Sequence, residues 1–220
     1  DGKMQNMMIG VDLAKNVFQV HGASQTGEVL YRKKLSRKQF SAFMALQEPS
    51  LVIFEACGSA HYWAREMEAL DHEVRLIAPQ YVRPFVKRQK NDAADAEAIV
   101  IAARQPEMRF VAPKTIEQQS RAAVFRGRER LVHQRTADVN ALRALLYEHG
   151  HVFPAGIRHL NRMTALIEDE TSGLPMLIRE ECKDLLAQIA EKTARIIERT
   201  AKLKTLAAQS DKARRLQTMP

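Results

Sequence analysis

Leu51-Val52-Ile53-Phe54-Glu55-Ala56-Cys57-Gly58-Ser59 opens with an apolar run of strand length, closes that run on an acid, and then turns at Gly58-Ser59. A helix is expected from about Ala60 to Leu70. Glu73-Val74-Arg75-Leu76-Ile77-Ala78-Pro79 is then a further strand, stopped by proline. Strand, helix and strand in that order imply parallel pairing through a right-handed crossover. Upstream, Met7-Met8-Ile9-Gly10-Val11-Asp12 is a short apolar run that also ends in an acid, and structure is expected to begin at Met7 or Met8. Val17 to Gly22 alternates, either continuing that strand or forming the next. Gln25-Thr26-Gly27 turns the chain into another strand, Glu28 to Leu35. Early strands joined by short turns predict an antiparallel meander. Ser36 should cap a helix with Phe40, Phe43, Met44 and Leu46 on its apolar side. The fold class that follows is α/β, a mixed sheet flanked by helices.

The 220 residues are 45% hydrophobic and 27% charged, enough for one ordinary core and an appendage. A formal net charge of +8 points to a polyanionic partner, nucleic acid first. No apolar run reaches the roughly 18 residues of a membrane span, and no signal peptide is visible. Cys57 and Cys182 make neither a disulfide framework nor a zinc cluster. The expectation is a soluble, cytoplasmic protein.

Tyr81 to Lys90 is a basic connector carrying Arg83, Lys87, Arg88 and Lys90 with no acid among them. It feeds Lys90-Asn91-Asp92-Ala93-Ala94-Asp95-Ala96-Glu97-Ala98-Ile99, an Ala-rich stretch that favours helix, with Asn91 as its N-cap. A long helix is expected from about Thr115 to His149. It carries Arg121, Arg126, Arg128, Arg130, Arg135 and Arg143, and Leu131, Val139, Leu142, Leu145 and Leu146 give it a buried side. Gly150 to Gly156 breaks it. From Leu174 to about Ala208, Cys182, Ile189, Ile196 and Leu203 recur every seven residues. The partner positions Ile178, Leu185, Lys192, Arg199 and Leu206 are interrupted by two cations. This reads either as an amphipathic helix packing on its own domain or as a coiled-coil arm that pairs with itself or with a second copy. The organisation expected is an α/β domain over 1–150, a connector over 151–173, a coiled-coil arm over 174–210, and a tail over 211–220.

On a helix, Asp92 and Asp95 leave from one face. Two acids side by side repel unless a cation sits between them, and hard oxygen ligands suit Mg²⁺ or Mn²⁺. A solvated first helical turn, favoured by the helix dipole, is the alternative. The strand-end acids Asp12 and Glu55 widen the case. Ligands collect at the carboxyl ends of strands in open α/β sheets, and two-metal phosphoryl transfer needs several converging carboxylates.

Ile9-Gly10-Val11-Asp12-Leu13-Ala14-Lys15, Phe54-Glu55-Ala56-Cys57-Gly58-Ser59 and Lys90-Asn91-Asp92-Ala93-Ala94-Asp95-Ala96, in this order, resemble the DEDD transposases of insertion-sequence family 110, which include the pilin-gene invertase Piv. The resemblance covers the whole chain. It implies an RNase H-like N-terminal domain similar to the Holliday-junction resolvase RuvC. It implies that Asp12, Glu55, Asp92 and Asp95 are a catalytic, Mg²⁺-binding tetrad (or Mn²⁺). It further implies site-specific DNA recombination, in some members guided by a structured RNA. That family has a second, C-terminal domain with a nucleophilic serine, opening on Pro-Gly-Ile-Gly. Leu216-Gln217-Thr218-Met219-Pro220 stands where that segment would begin, so an N-terminal fragment incomplete for full recombination is expected.

DNA and guide RNA are then expected to contact Arg83, Lys87, Arg88, Lys90, Arg121, Arg126, Arg128, Arg130 and Arg135, with a homodimer or higher oligomer formed through the arm. His61 and Tyr62 are read as lining the site's rim, Trp63 and Cys182 as core, and Glu97 as surface. Lys15 is either a phosphate contact or a solvated loop lysine. Two other functions fit the same residues: a free-standing structure-selective nuclease of the resolvase kind, and a non-catalytic RNA-binding and dimerisation module. An actin-like ATPase shares the opening Gly-x-Asp strand but needs a second Gly-rich phosphate loop, and none is clear here.

Overall fold

Strands β1 (Met7–Leu13), β2 (Val17–Ser24) and β3 (Val29–Ser36) form the expected antiparallel meander. Helix α1 (Arg37–Met44) leads to β4 (Leu51–Glu55), α2 (Ala60–Glu68) and β5 (Glu73–Ile77). β4 pairs in parallel with both β1 and β5, as the crossover rule requires. These assignments come from a computed structural model that describes residues 7–86, 92–209 and 213, leaving aside the side chains of Asp92 and Ala93. A short helix α3 (Pro79–Val82) and a 3₁₀ turn (Arg83–Phe85) follow β5, then α4 (Asp92–Ala103) and the two-residue strand β6 (Phe110–Val111). The sheet order is β3-β2-β1-β4-β5-β6, with β6 antiparallel to β5 at the edge. Three antiparallel strands continued by parallel ones, with helices on both faces, make the mixed α/β sheet that the sequence led us to expect.

Ser36 caps α1 through a capping box: its hydroxyl accepts from the Gln39 N–H at 3.4 Å, and its own N–H donates to Gln39 Oε1 at 2.8 Å. Phe40 and Met44 are buried, but Leu46 is 85% exposed because the helix stops at Met44 and the apolar stripe stops with it. The two faces of the sheet differ. Ile9, Val11, Phe18, Phe40, Phe54 and Trp63 fill one face beneath α1 and α2. Rings of Phe18, Phe40 and Trp63 meet edge to face at centroid distances of 5.1 to 5.3 Å. On the opposite face Met8, Ala23, Ile53 and Ile77 of the sheet pack against Ala98, Ile99 and Ala102 of α4.

By contacts the chain divides into Asp1–Thr115 and Ile116–Pro220. The expected boundary at 150 falls inside the second unit, because the Arg-rich helix α5 (Ile116–Glu148) packs on α7 (Met176–Ala208). The connector is itself structured: a 3₁₀ turn (Ile157–His159) leads into helix α6 (Leu160–Glu168). Val139, Leu142, Leu146, Met163, Ile167, Leu174, Cys182 and Ile189 form the core of this unit. Lys192, one of the cations that interrupts the heptad pattern, sits 2.9 Å from Asp138 on α5, with both side chains less than a fifth exposed. The contact is an ion pair rather than an aligned hydrogen bond. Arg128 donates to Thr200 at 3.0 Å and Arg135 to Thr193 at 3.3 Å. As the α5 number rises the α7 number falls in step, so the two helices run antiparallel. Among the described residues, no helix is long and apolar enough to cross a membrane.

Candidate carboxylate site and nucleic-acid surfaces

Side chains alternate across a strand, so burial fixes which way each acid leaves the sheet. Ile9 and Val11 of β1, and Val52 and Phe54 of β4, enter the aromatic face; Met8 and Ile53 enter the α4 face. Asp12 and Glu55 therefore belong to the α4 side. Val11 pairs with Phe54 in parallel register, which makes Asp12 and Glu55 the next residues on neighbouring strands. Strands lie about 4.8 Å apart, so the two carboxylates start from adjacent positions on one edge.

Gly10 brings the third acid to that edge. A Cβ on Gly10 would lie 2.5 Å from the Ala96 carbonyl oxygen and 2.6 Å from Val100 Cγ2. Only a residue without a Cβ lets α4 come so near to β1. Asp95 precedes Ala96 at this close approach. The glycine in the opening motif is thus a packing requirement for the acid on α4, a role that sequence reasoning missed although an isolated strand glycine was a signal for it.

Electrostatics agree with the geometry. Glu55 is pushed above its ordinary carboxyl range, first by burial and then by the negative charge of Asp95. Asp12, Glu55 and Asp95 are each partly buried. Asp92 opens α4 one turn before Asp95; its side chain lies outside the described residues. Among the described residues no three Asp, Glu, His or Cys side chains are already drawn together as a metal group. The donor chemistry suits a hard divalent cation, since carboxylates that repel one another are relieved by a charge between them.

Of the expected cationic contacts, Arg83 is exposed in its 3₁₀ turn, while Lys87, Arg88 and Lys90 lie outside the described residues. Arg126 and Arg130 are exposed on α5 and Arg121 is half-buried. Arg128 and Arg135 are turned toward α7, held by the threonines described above. Glu97 is not a free surface acid: it pairs with Arg32 on β3 at 3.4 Å. Lys15 is exposed, and its carbonyl accepts from Arg37 at 3.2 Å, tying the β1–β2 turn to α1. Trp63 is buried as expected, whereas Tyr62 stands 45% exposed with its ring against Trp63. His61 and Arg65 both hold Lys114. The Lys114 N–H donates to His61 Nδ1 at 3.2 Å, Lys114 Nζ lies 2.9 Å from Nε2, and Arg65 donates to the Lys114 carbonyl at 2.6 Å. Lys114 was not singled out from the sequence, because the chain alone does not place it beside α2.

The family model for the IS110 DEDD transposases, described as "Transposase", matches residues 9–151. A probable family 20 transposase of Pseudomonas aeruginosa is 46% identical over 195 residues, covering 89% of this chain and 57% of the relative. The transposase for insertion sequence element IS1328 of Yersinia enterocolitica is 40% identical over 217 residues, covering 97% of this chain and 63% of the relative. The transposase for IS1111A of Coxiella burnetii is 36% identical, with 97% and 59% covered. The chain thus spans about three-fifths of the length of these relatives. Among solved structures, Thermus thermophilus RuvC in complex with a Holliday junction substrate matches with a TM-score of 0.35 at 11% identity, over 48% of this chain and 99% of RuvC. Residues 9–115 of the motif-bearing unit and the whole of α5 fall within the family match, and the chain belongs to the IS110 family of DEDD transposases.

Proposed function

We propose that this chain carries the metal-dependent phosphodiester-exchange site of a DNA transposase, with Asp12, Glu55, Asp92 and Asp95 holding Mg²⁺ or Mn²⁺. The observation that carries the reading is the placing of Asp12 and Glu55 side by side on the sheet face that α4 approaches, with Asp95 close enough to raise the Glu55 pKa. A bound divalent ion supplies charge neutralisation at a reacting phosphate and a stronger oxygen nucleophile. The protein's own part is positional. The sheet fixes Asp12 and Glu55, Gly10 sets the depth of α4, and the helix presents Asp92 and Asp95 one turn apart. Arg83, with Lys87, Arg88 and Lys90 beyond it in sequence, supplies cations to the backbone of DNA entering this edge. Arg121, Arg126 and Arg130 on α5 bind DNA or a structured guide RNA, and Arg128 and Arg135 brace that face through α7. Oligomerisation through the arm is supported by an open apolar groove between α6 and α7, lined by Leu160, Ile167, Leu186, Ala190 and Ile197.

Calorimetric titration with Mn²⁺, with and without a short DNA duplex, tests the reading on wild type beside Asp92→Asn and Glu55→Gln. Binding that strengthens with DNA and is lost in both variants is expected. Equal Mn²⁺ binding by all three proteins would refute the tetrad.

A further inference from the structure

The elbow between α5 and α6 holds a cavity of about 440 Å³ lined by Asn140, Arg143, Ala144, Tyr147, Val152 and Phe153. Local sequence builds it. Helix α5 ends in a Schellman motif: the His151 N–H donates to the Leu146 carbonyl at 2.9 Å, and the Gly150 N–H to that of Tyr147 at 3.0 Å. Gly150 supplies the required left-handed backbone, at φ 85°. This reversal brings Val152 and Phe153 back beside the last turns of α5. Arg143 then locks the loop, donating from Nε to the Phe153 carbonyl at 3.2 Å and from Nη1 to Asn140 Oδ1 at 3.0 Å. Arg162 of α6 lies over the Phe153 ring at 5.8 Å.

Two features of this pocket have no structural use within the fold. Tyr147 and Val152 are 66% and 72% exposed, a large apolar outlay for a surface turn. Asn140 spends its carbonyl oxygen on Arg143, so its amide N–H₂ is the group it can offer a ligand. The walls are therefore aromatic and the polar edge donates. From Arg143 to Arg162 the chain carries the cations Arg143, Arg158 and Arg162 against the single acid Glu148. Flat apolar faces, hydrogen-bond donors and a cationic surround together match a nucleobase turned out of a stack, whose rim presents carbonyl or ring-nitrogen acceptors. A buried peptide side chain would use the apolar walls but leave the donors and the positive charge without a partner.

We propose that this elbow is a pocket for one unpaired nucleobase, stacked against Tyr147 and Phe153 and hydrogen-bonded by Asn140 and Arg143. The inference rests on the nucleic-acid reading above and adds a base-specific site remote in sequence from the carboxylates.

Fluorescence anisotropy on the full chain separates the two ideas, using a fully paired hairpin and the same hairpin with one unpaired base, each made as DNA and as RNA. Wild type is expected to favour the unpaired base about tenfold. Tyr147→Ala and Asn140→Ala should erase that preference and leave the paired hairpin's affinity unchanged, while Tyr147→Phe keeps it. Tyr147 is exposed, so truncation should spare the fold, which a thermal melt checks. A preference for RNA alone would assign the pocket to a guide strand, and for DNA alone to the target; either supports the site. Equal affinity for both hairpins, or equal weakening of both by Tyr147→Ala, overturns it while the transposase reading stands. Failure of every nucleic acid to bind would overturn both.

Discussion

One sheet has two unlike faces. Beneath α1 and α2, large rings interlock, and the spacing between helix and sheet is set by Phe18, Phe40 and Trp63. Beneath α4 the packing is mainly aliphatic, with alanines set among Met8, Ile53, Ile77 and Ile99, and at Gly10 helix and strand nearly touch. The first face stores stability, because burying aromatic area is worth more than burying alanines. The second gives some of that up so that acids on a helix and on two strands share one edge. Stability and site are thus divided between opposite sides of the same strands, with alternate residues of β1 and β4 serving each.

Three substitutions put that division under strain. Trp63→Ala should be the most damaging to stability, at about 3–5 kcal/mol in urea unfolding, with Mn²⁺ affinity of the folded protein unchanged. A matching loss of metal affinity would show that the aromatic face also governs the carboxylates. Gly10→Ala should cost about 1–3 kcal/mol, since the clash is with backbone as well as with Val100. Here Mn²⁺ affinity should fall too, because the easiest relief moves α4 outward and takes Asp95 with it. Retention of full affinity would mean that α4 tolerates the shift without moving its acids.

Glu55→Gln should have the smallest effect and the opposite sign. The folded pKa of Glu55 lies above the ordinary 4.5, so the folded chain holds that proton more tightly than the unfolded one. Its ionised form opposes folding above the raised pKa, and the penalty fades as pH falls toward 4.5. Without divalent ions the variant should melt about 1–2 °C higher at pH 7 and together with wild type at pH 4. With Mn²⁺ present, wild type should overtake it. Scanning calorimetry at the two pH values decides the sign.

Strands β1, β4 and β5 were legible because each is an apolar run closed by an acid or followed by proline, and β2 and β3 by the turn between them; the two-residue β6 carries too short a pattern to be read. Asp12 and Glu55 were legible as strand-end neighbours because each closes such a run. Other features depended on partners far off in sequence. Lys192 looked like a flaw in a heptad seam until Asp138, 54 residues earlier, proved to be its counter-charge. Glu97 looked exposed, since nothing local announced Arg32. Helix α6 was read as connector because its nine residues are too few for a clear period. Leu46 failed for the opposite reason: the pattern ran on two residues past the point where the helix ended.

The ion pair between Lys192 and Asp138 also sets a scale. Sliding α7 by one heptad would bring Lys192 opposite Leu131 or Leu145 and strand a charge among leucines, so the hairpin closes in one register. That rigidity makes α5 a measuring rod. Tyr147 at the elbow and Arg126 farther along lie 21 residues apart on a single helix, about 30 Å at 1.5 Å per residue. A strand rising 3.4 Å per nucleotide covers that distance in about nine steps. A base seated at the elbow would then fix which phosphate reaches Arg126, turning helix length into a count of nucleotides.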